Sequence, residues 1–247
     1  MPKAFLIDTS RCTACRGCQL ACKEWNELEP NRTLQYGWGS HQNPQDLNAN
    51  NYKLVRFSER KDKTGIVRWN FFPDQCRHCI YPPCLETANG YVDDAAFQDE
   101  ESGAVVFTDK TAELSASEAQ EVRASCPYDI PRYDSVTGKL SKCTMCFERI
   151  TAGMLPACVK ACPTGTMNFG EREEMEALAQ ERLAIAKKIF PEAMLADPDD
   201  VNIIFLLTDQ PDNYSYNAVA SVSNSFLTRK GFLAKMVRPF HEIVTNG

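Results

Sequence analysis

The stretch that decides the reading of this chain is Cys12-Thr13-Ala14-Cys15-Arg16-Gly17-Cys18-Gln19-Leu20-Ala21-Cys22. Its spacing, C-x2-C-x2-C-x3-C, is the one in which three thiolates hold one [4Fe–4S] cluster and the fourth reaches a neighbouring cluster. The reason is compactness. A tight loop brings three sulfurs to one face of the cube, and a helical turn carries the fourth away. Such a run cannot complete its own cluster, so the missing ligand must come from elsewhere in the chain.

Twelve cysteines fall into four groups. The first is Cys12, Cys15, Cys18, Cys22. The second is Cys76, Cys79, Cys84, in Cys-Arg-His-Cys-Ile-Tyr-Pro-Pro-Cys. The third is Cys126, followed by Pro127. The fourth is Cys143, Cys146, Cys158, Cys162, followed by Pro163. The closing x3 step of the fourth group, applied to the second, asks for a cysteine at 88, where Ala88 stands. The spacing of the first group, stepped back from Cys126, asks for cysteines at 122, 119 and 116. Val122, Ala119 and Ala116 stand there. The chain reads as a four-group template from which four ligands are missing.

Two pairings of the groups are conceivable. A sequential pairing, first with second and third with fourth, leaves Cys12, Cys15 and Cys18 one ligand short and strands Cys162. A nested pairing, first with fourth and second with third, uses every cysteine once. Its clusters are Cys12, Cys15, Cys18, Cys162; Cys22, Cys143, Cys146, Cys158; and Cys76, Cys79, Cys84, Cys126. All four missing ligands then belong to one absent cluster. The nested scheme, with three [4Fe–4S] clusters, is the expectation.

Zinc is the competing chemistry, since paired C-x2-C units form four-ligand zinc sites. Zinc does not need a third cysteine at x2, another at x3, and then proline. Disulfides fit the regular spacing less well still. His78 could replace a thiolate, as histidine does in Rieske centres, but the cysteine count leaves no vacancy. Arg16, Lys142 and Lys160 lie in or beside the groups, where a cation favours the reduced cluster; solvated side chains are the plain alternative. Pro127 and Pro163 shape the turns after their cysteines. Trp25, Trp38 and Trp69 read as packing or interface residues. His41 and His241 are isolated, and no phosphate-cradling glycine loop or catalytic triad order is present. The expectation is a chain that carries electrons and catalyses nothing itself.

The 247 residues are 43% hydrophobic and 24% charged, ordinary for a globular protein. A net charge of -6 argues against nucleic acid and suits a basic protein partner. The apolar run at residues 4–7 is too short for a signal peptide, and nothing approaches the roughly 18 apolar residues of a membrane span. No export signal or transmembrane segment of its own is therefore expected. Residues 3–8 read as a strand, 23–51 as a long loop, and 52–60 with 66–72 as a hairpin. A second hairpin is expected over 95–98 and 104–108, and a helix over 113–125 that Pro127 stops. Residues 171–189 read as a helix with Met175, Leu178, Ile185 and Ile189 on one side, 201–207 as a buried strand, and the basic amphipathic tail from 221 as a segment that packs on a large partner subunit, contact with a membrane surface being the alternative.

The four-group pattern resembles the iron–sulfur subunits of the molybdopterin oxidoreductases. Cys126-Pro-Tyr-Asp-Ile-Pro-Arg, Cys158-Val-Lys-Ala-Cys-Pro-Thr-Gly-Thr-Met-Asn-Phe-Gly and Ser40-His41-Gln42-Asn43-Pro44 narrow the resemblance. They are similar to the small subunit of the soluble tungsten- or molybdenum-containing formate dehydrogenases of sulfate-reducing bacteria, over most of residues 1–220. The resemblance implies an α+β fold of two interleaved ferredoxin-like halves. One is built from 1–35 plus 135–170, the other is inserted at 50–134 and has lost a cluster, and 171–247 is a C-terminal helical extension. It implies a large catalytic subunit with a tungsten or molybdenum bis-pterin centre, a multihaem cytochrome c as electron acceptor, and a periplasmic location reached by co-export with a signal-bearing large subunit. A partner reducing polysulfide, thiosulfate or another oxyanion, and a free-standing polyferredoxin, are the alternatives; a cytoplasmic location is the alternative to export.

Overall fold

A computed structural model describes residues 2–34, 41–214 and 217–220. Trp38, Ser40, His241 and the amphipathic stretch 221–247 lie outside the described residues. In chain order the elements are β1 (Lys3–Asp8), α1 (Gly17–Trp25), β2 (Leu54–Lys61), β3 (Val67–Asp74), α2 (Pro83–Asn89), β4 (Ala96–Gln98), β5 (Val105–Phe107), α3 (Ala116–Ser125), β6 (Arg132–Tyr133), β7 (Leu140–Ser141), α4 (Phe147–Thr151), α5 (Ala157–Lys160), β8 (Met167–Glu171), α6 (Arg172–Ala186), β9 (Met194–Ala196) and β10 (Ile203–Leu207).

Ala4, Phe5, Leu6 and Ile7 form an unbroken apolar run, and all are buried. A strand apolar on both faces belongs inside a sheet. β1 accordingly sits between β8 and β10 in a four-stranded sheet of order β8-β1-β10-β9. It runs antiparallel to β8, with Phe5 opposite Phe169, and parallel to β10, with Phe5 opposite Ile203. β10 is equally apolar and buried throughout. The sheet therefore spans residue 171, and β10, the buried strand expected near 201–207, docks on the core beside β1.

α6 covers one face of this sheet through Met175, Ala179 and Ala186, which are buried. The expected apolar stripe is corrected at its far end, because Ile185 and Ile189 are exposed. Small residues at 179 and 186 lie on the buried face, Ile185 points outward, and the helix ends at Ala186, before Ile189.

The β2–β3 hairpin closes at Asp62, whose carboxylate accepts the Thr64 and Ile66 N–H groups at 2.9 and 3.0 Å around left-handed Gly65. Its base is buried, with Leu54, Val55 and Phe72 in the core. Asp46, from the loop before it, spans Arg56 of β2 at 2.6 Å and Arg132 of β6 at 2.8 Å, tying the two regions together. α2 and α3 pack side by side with the β4–β5 hairpin against them. The architecture is mixed α+β.

Candidate cluster-binding sites

The three C-x2-C loops share one backbone device. Ala14, His78 and Met145 occupy the same step, just before the second cysteine of each loop. All three are left-handed, with φ of 54°, 46° and 63°. None is glycine, so each conformation is held against a steric preference. The outcome is common to all three. The residue's N–H turns back onto the sulfur of the first cysteine: His78 N to Cys76 Sγ at 3.3 Å, Met145 N to Cys143 Sγ at 3.4 Å, and Ala14 to Cys12.

The two Cys-Pro segments share a second device. Proline fixes φ and has no N–H to place. Three residues after each cysteine comes a left-handed residue, Asp129 at φ 52° and Gly165 at φ 67°. The following backbone then wraps the sulfur. Cys126 accepts from the Ile130 and Tyr128 N–H groups, and Cys162 from those of Met167, Thr164 and Thr166. Such donors are built to face sulfur that carries negative charge.

The thiols gather across long sequence distances. Cys12, Cys15, Cys18 and Cys162 line one cavity, together with Val55 and Pro73. Cys22, on α1, is acted on most strongly by Cys143, Cys158 and Cys146. Cys84 is acted on by Cys126, Cys76 and Cys79. Charge on one set is also felt by the next: Cys158 acts on Cys18, and Cys76 acts on Cys143. Among the described residues no three such side chains close on a single metal ion.

Burial makes these thiols poor acids while they carry their own protons. It pushes Cys18 and Cys79 up to about 12 and Cys146 and Cys126 up to about 11, and raises Cys22, Cys84 and Cys143 further. Cys162 goes the other way. Burial raises it, but the N–H groups around its sulfur more than offset that and lower it. The donor set fits iron–sulfur clusters: soft ligands, preformed N–H···S contacts and an apolar surround.

The positions where the template lacks cysteines also converge. Ala88, Ala119 and Val122 are fully buried and share one apolar cluster with Leu114 and Leu140, while Ala116 is exposed. Where the first group makes a ligand loop, residues 116–125 make helix α3. Ser115 caps it, its hydroxyl accepting the Glu118 N–H at 3.3 Å while Glu118 accepts the Ser115 N–H at 2.8 Å.

Of the cations singled out by sequence, Lys142 is buried beside Cys143. Its ammonium bonds the Val105 carbonyl, accompanies Cys143 O at 3.2 Å and lies 5.0 Å from the Phe107 ring centre. Arg16 lies over the Phe57 ring at 5.1 Å, and Lys160 is exposed. Trp69 is half exposed among Phe57, Phe71 and His41, and Trp25 lies 4.2 Å beneath the Arg149 guanidinium. His78 is wholly buried. Its Nδ1 accepts the Val105 N–H at 2.9 Å, which leaves the hydrogen on Nε2, where it has no hydrogen-bond partner among the described residues.

Two buried cations escaped the sequence reading. Arg77 lies within about 5 Å of the Phe72, Tyr128 and Phe205 ring centres and acts on Cys79 and Cys126. Its place between Cys76 and Cys79 was the available signal. Lys53 is acted on by thiols of two sets, and nothing in its neighbourhood Asn51-Tyr52-Lys53-Leu54-Val55 marks it.

Residues 67–172 match a family described as a 4Fe-4S dicluster domain, a segment that holds eight of the cysteines. The chain is 59% identical over 214 residues to "Formate dehydrogenase 2 subunit beta (cytochrome c-553)" of Nitratidesulfovibrio vulgaris, covering 87% of this chain and 97% of that one. It is 50% identical over 220 residues to the formate dehydrogenase subunit beta of Megalodesulfovibrio gigas, covering 89% of this chain and all of the relative. It is 36% identical over 227 residues to the formate dehydrogenase-O iron-sulfur subunit of Escherichia coli, covering 85% and 69%. The dicluster segment gives the fold its ferredoxin-like character, and among the described residues no helix is long and apolar enough to cross a membrane. With its thiols gathered for iron–sulfur ligation and relatives of this identity, this chain belongs to the beta, iron–sulfur subunits of the formate dehydrogenases, the electron-transferring and non-catalytic members of an oxidoreductase complex.

Proposed function

We propose that the chain holds three [4Fe–4S] clusters in a row, on the ligand sets Cys12, Cys15, Cys18, Cys162; Cys22, Cys143, Cys146, Cys158; and Cys76, Cys79, Cys84, Cys126. The observation that carries this reading is the exchange between chain ends. Cys162 joins the N-terminal loop, while Cys22 joins the loop that contains Cys143. When bound, the clusters supply reversible one-electron redox chemistry. The residues do the rest. The left-handed Ala14, His78 and Met145 aim N–H groups at sulfur, which favours negative charge there. The electrostatic influence of Cys158 on Cys18 and of Cys76 on Cys143 supports neighbouring sets lying close.

The same reading takes the core as two interleaved ferredoxin-like halves. One joins β1 and α1 to α5 and β8; the other is inserted between them and centres on α2 and α3. The β1–β8 pairing and the α1–α5 packing support it.

The partner in this proposal is a large subunit whose tungsten or molybdenum bis-pterin centre oxidises formate or reduces carbon dioxide. The electron acceptor is a multihaem cytochrome c. The name of the Nitratidesulfovibrio relative supports a c-type cytochrome, and the acidic net charge of -6 suits a basic one. Both subunits would work in the periplasm, the chain travelling there with a signal-bearing large subunit. The test is co-purification with the large subunit followed by formate-dependent dye reduction. Activity with formate is expected; activity with polysulfide or thiosulfate and none with formate would overturn the assignment.

A further inference from the structure

A buried ammonium or guanidinium is costly unless an anion answers it. Arg56, Arg77 and Arg132 each face a carboxylate, at 2.7, 2.9 and 2.8 Å. Lys53 is 2% exposed, and among the described residues no carboxylate pairs with it. Its Nζ donates to the Pro73 carbonyl at 3.4 Å and to Gln75 Oε1, both neutral. The question is where its counter-charge lies.

Its position answers. Val55, two residues on, donates its N–H to Gln19 Oε1 at 3.1 Å. Gln19 lies on α1 between Cys18 and Cys22, so the base of the β2–β3 hairpin is bonded to the helix that sends one thiol to each of two sets. Val55 also pairs with Pro73 across the hairpin, and both line the cavity of Cys12, Cys15, Cys18 and Cys162. The strand that follows Lys53 is thereby tied to the helix that serves both sets. The thiols acting on it most strongly are Cys158, Cys18, Cys143 and Cys22.

We propose that Lys53 is a shared counter-ion of the first and second clusters, and that its charge raises the reduction potential of both. The inference rests on the ligand sets proposed above. Reduction places one more negative charge on a cluster, and a cation fixed nearby in a low-dielectric interior stabilises that charge. One ammonium between two clusters also softens their mutual repulsion when both are reduced. The third set has its own cations: the charges acting on Cys79, Cys84 and Cys126 include Arg77 and Lys142 in place of Lys53.

The test is an anaerobic redox titration of the purified complex, read by electron paramagnetic resonance, for wild type, Lys53→Met and Lys53→Arg. In Lys53→Met two midpoints should fall by at least about 59 mV, a tenfold loss of the reduced form at fixed potential. The other midpoints should stay, and Lys53→Arg should recover most of the shift. Unmoved midpoints with full iron, or an equal shift of all of them, would overturn the proposal. If Lys53→Met fails to load, wild-type complex labelled with 15N at lysine Nζ decides by electron–nuclear double resonance. Nζ coupling on both the first and the second cluster is expected. Coupling missing from either of them, whatever Lys142 adds at the third, overturns the proposal. A wild-type subunit holding well under about twelve iron atoms would instead defeat the ligand sets themselves.

Discussion

Cys22 carries more of the account than any other single residue. It stands at the end of a local run, yet its thiol answers to Cys143, Cys158 and Cys146. Replacing it tests the exchange directly. Cys22→Ser should remove or distort the cluster of Cys143, Cys146 and Cys158 and leave that of Cys12, Cys15 and Cys18 intact, as read by resonance spectra of the reduced complex. The reverse pattern would refute the nested scheme. At this scale the sequence was unevenly informative. Cysteine spacing is set by local loop geometry, so it could be read directly. Lys53 could not, because its role depends on a hairpin meeting a helix more than thirty residues away, through Val55 and Gln19. Arg77 was half legible. Its place between two ligands was visible, but its three aromatic neighbours come from β3, β10 and the segment after Cys126.

Among the elements, α3 explains how a ligand group can disappear without leaving a hole. A helix with a capping box runs where the template has a cysteine loop, and Ala88, Ala119, Val122, Leu114 and Leu140 fill the space beside it. Restoring the four cysteines at 88, 116, 119 and 122 should therefore not restore a cluster. Position 116 faces solvent, and the helix would have to unwind to bring its residues together. Iron content of the quadruple variant should equal that of wild type; a gain of about four iron atoms would contradict this account. The helix was readable from the proline that stops it, both hairpins from their turn residues and flanking strands, and β1 as a short strand. β10 was readable as a buried strand but not as the neighbour of β1, because strand order depends on long-range pairing that no local pattern encodes. The outward turn of Ile185 and Ile189 was missed for a similar reason: the small residues Ala179 and Ala186, not the large ones, set the face of α6 that meets the sheet.

For the molecule as a whole, metal and fold are one problem. Most of the thiols are buried or half-buried. Burial lifts several of them above the ordinary value of 9.0 in the folded chain, to about 11 for Cys126 and Cys146 and about 12 for Cys18 and Cys79. A raised folded pKa contributes stability that is fully present below the unfolded value and is lost as pH rises through the folded one. The metal-free chain should therefore lose resistance to urea as pH rises from about 9 towards 11 to 12, while the loaded chain should not. Equal pH dependence of the two forms would mean that the thiols are not buried as described. Cluster binding must displace these protons, which couples assembly to folding.

The central claim is that one chain carries three four-iron clusters through thiols exchanged between its two ends. Anaerobic native mass spectrometry of the complex, with this subunit released in the gas phase, measures it most directly. A mass increment of three Fe4S4 units, or about twelve iron and twelve sulfide per subunit, is expected. An increment of two such units, with about eight iron, would contradict it.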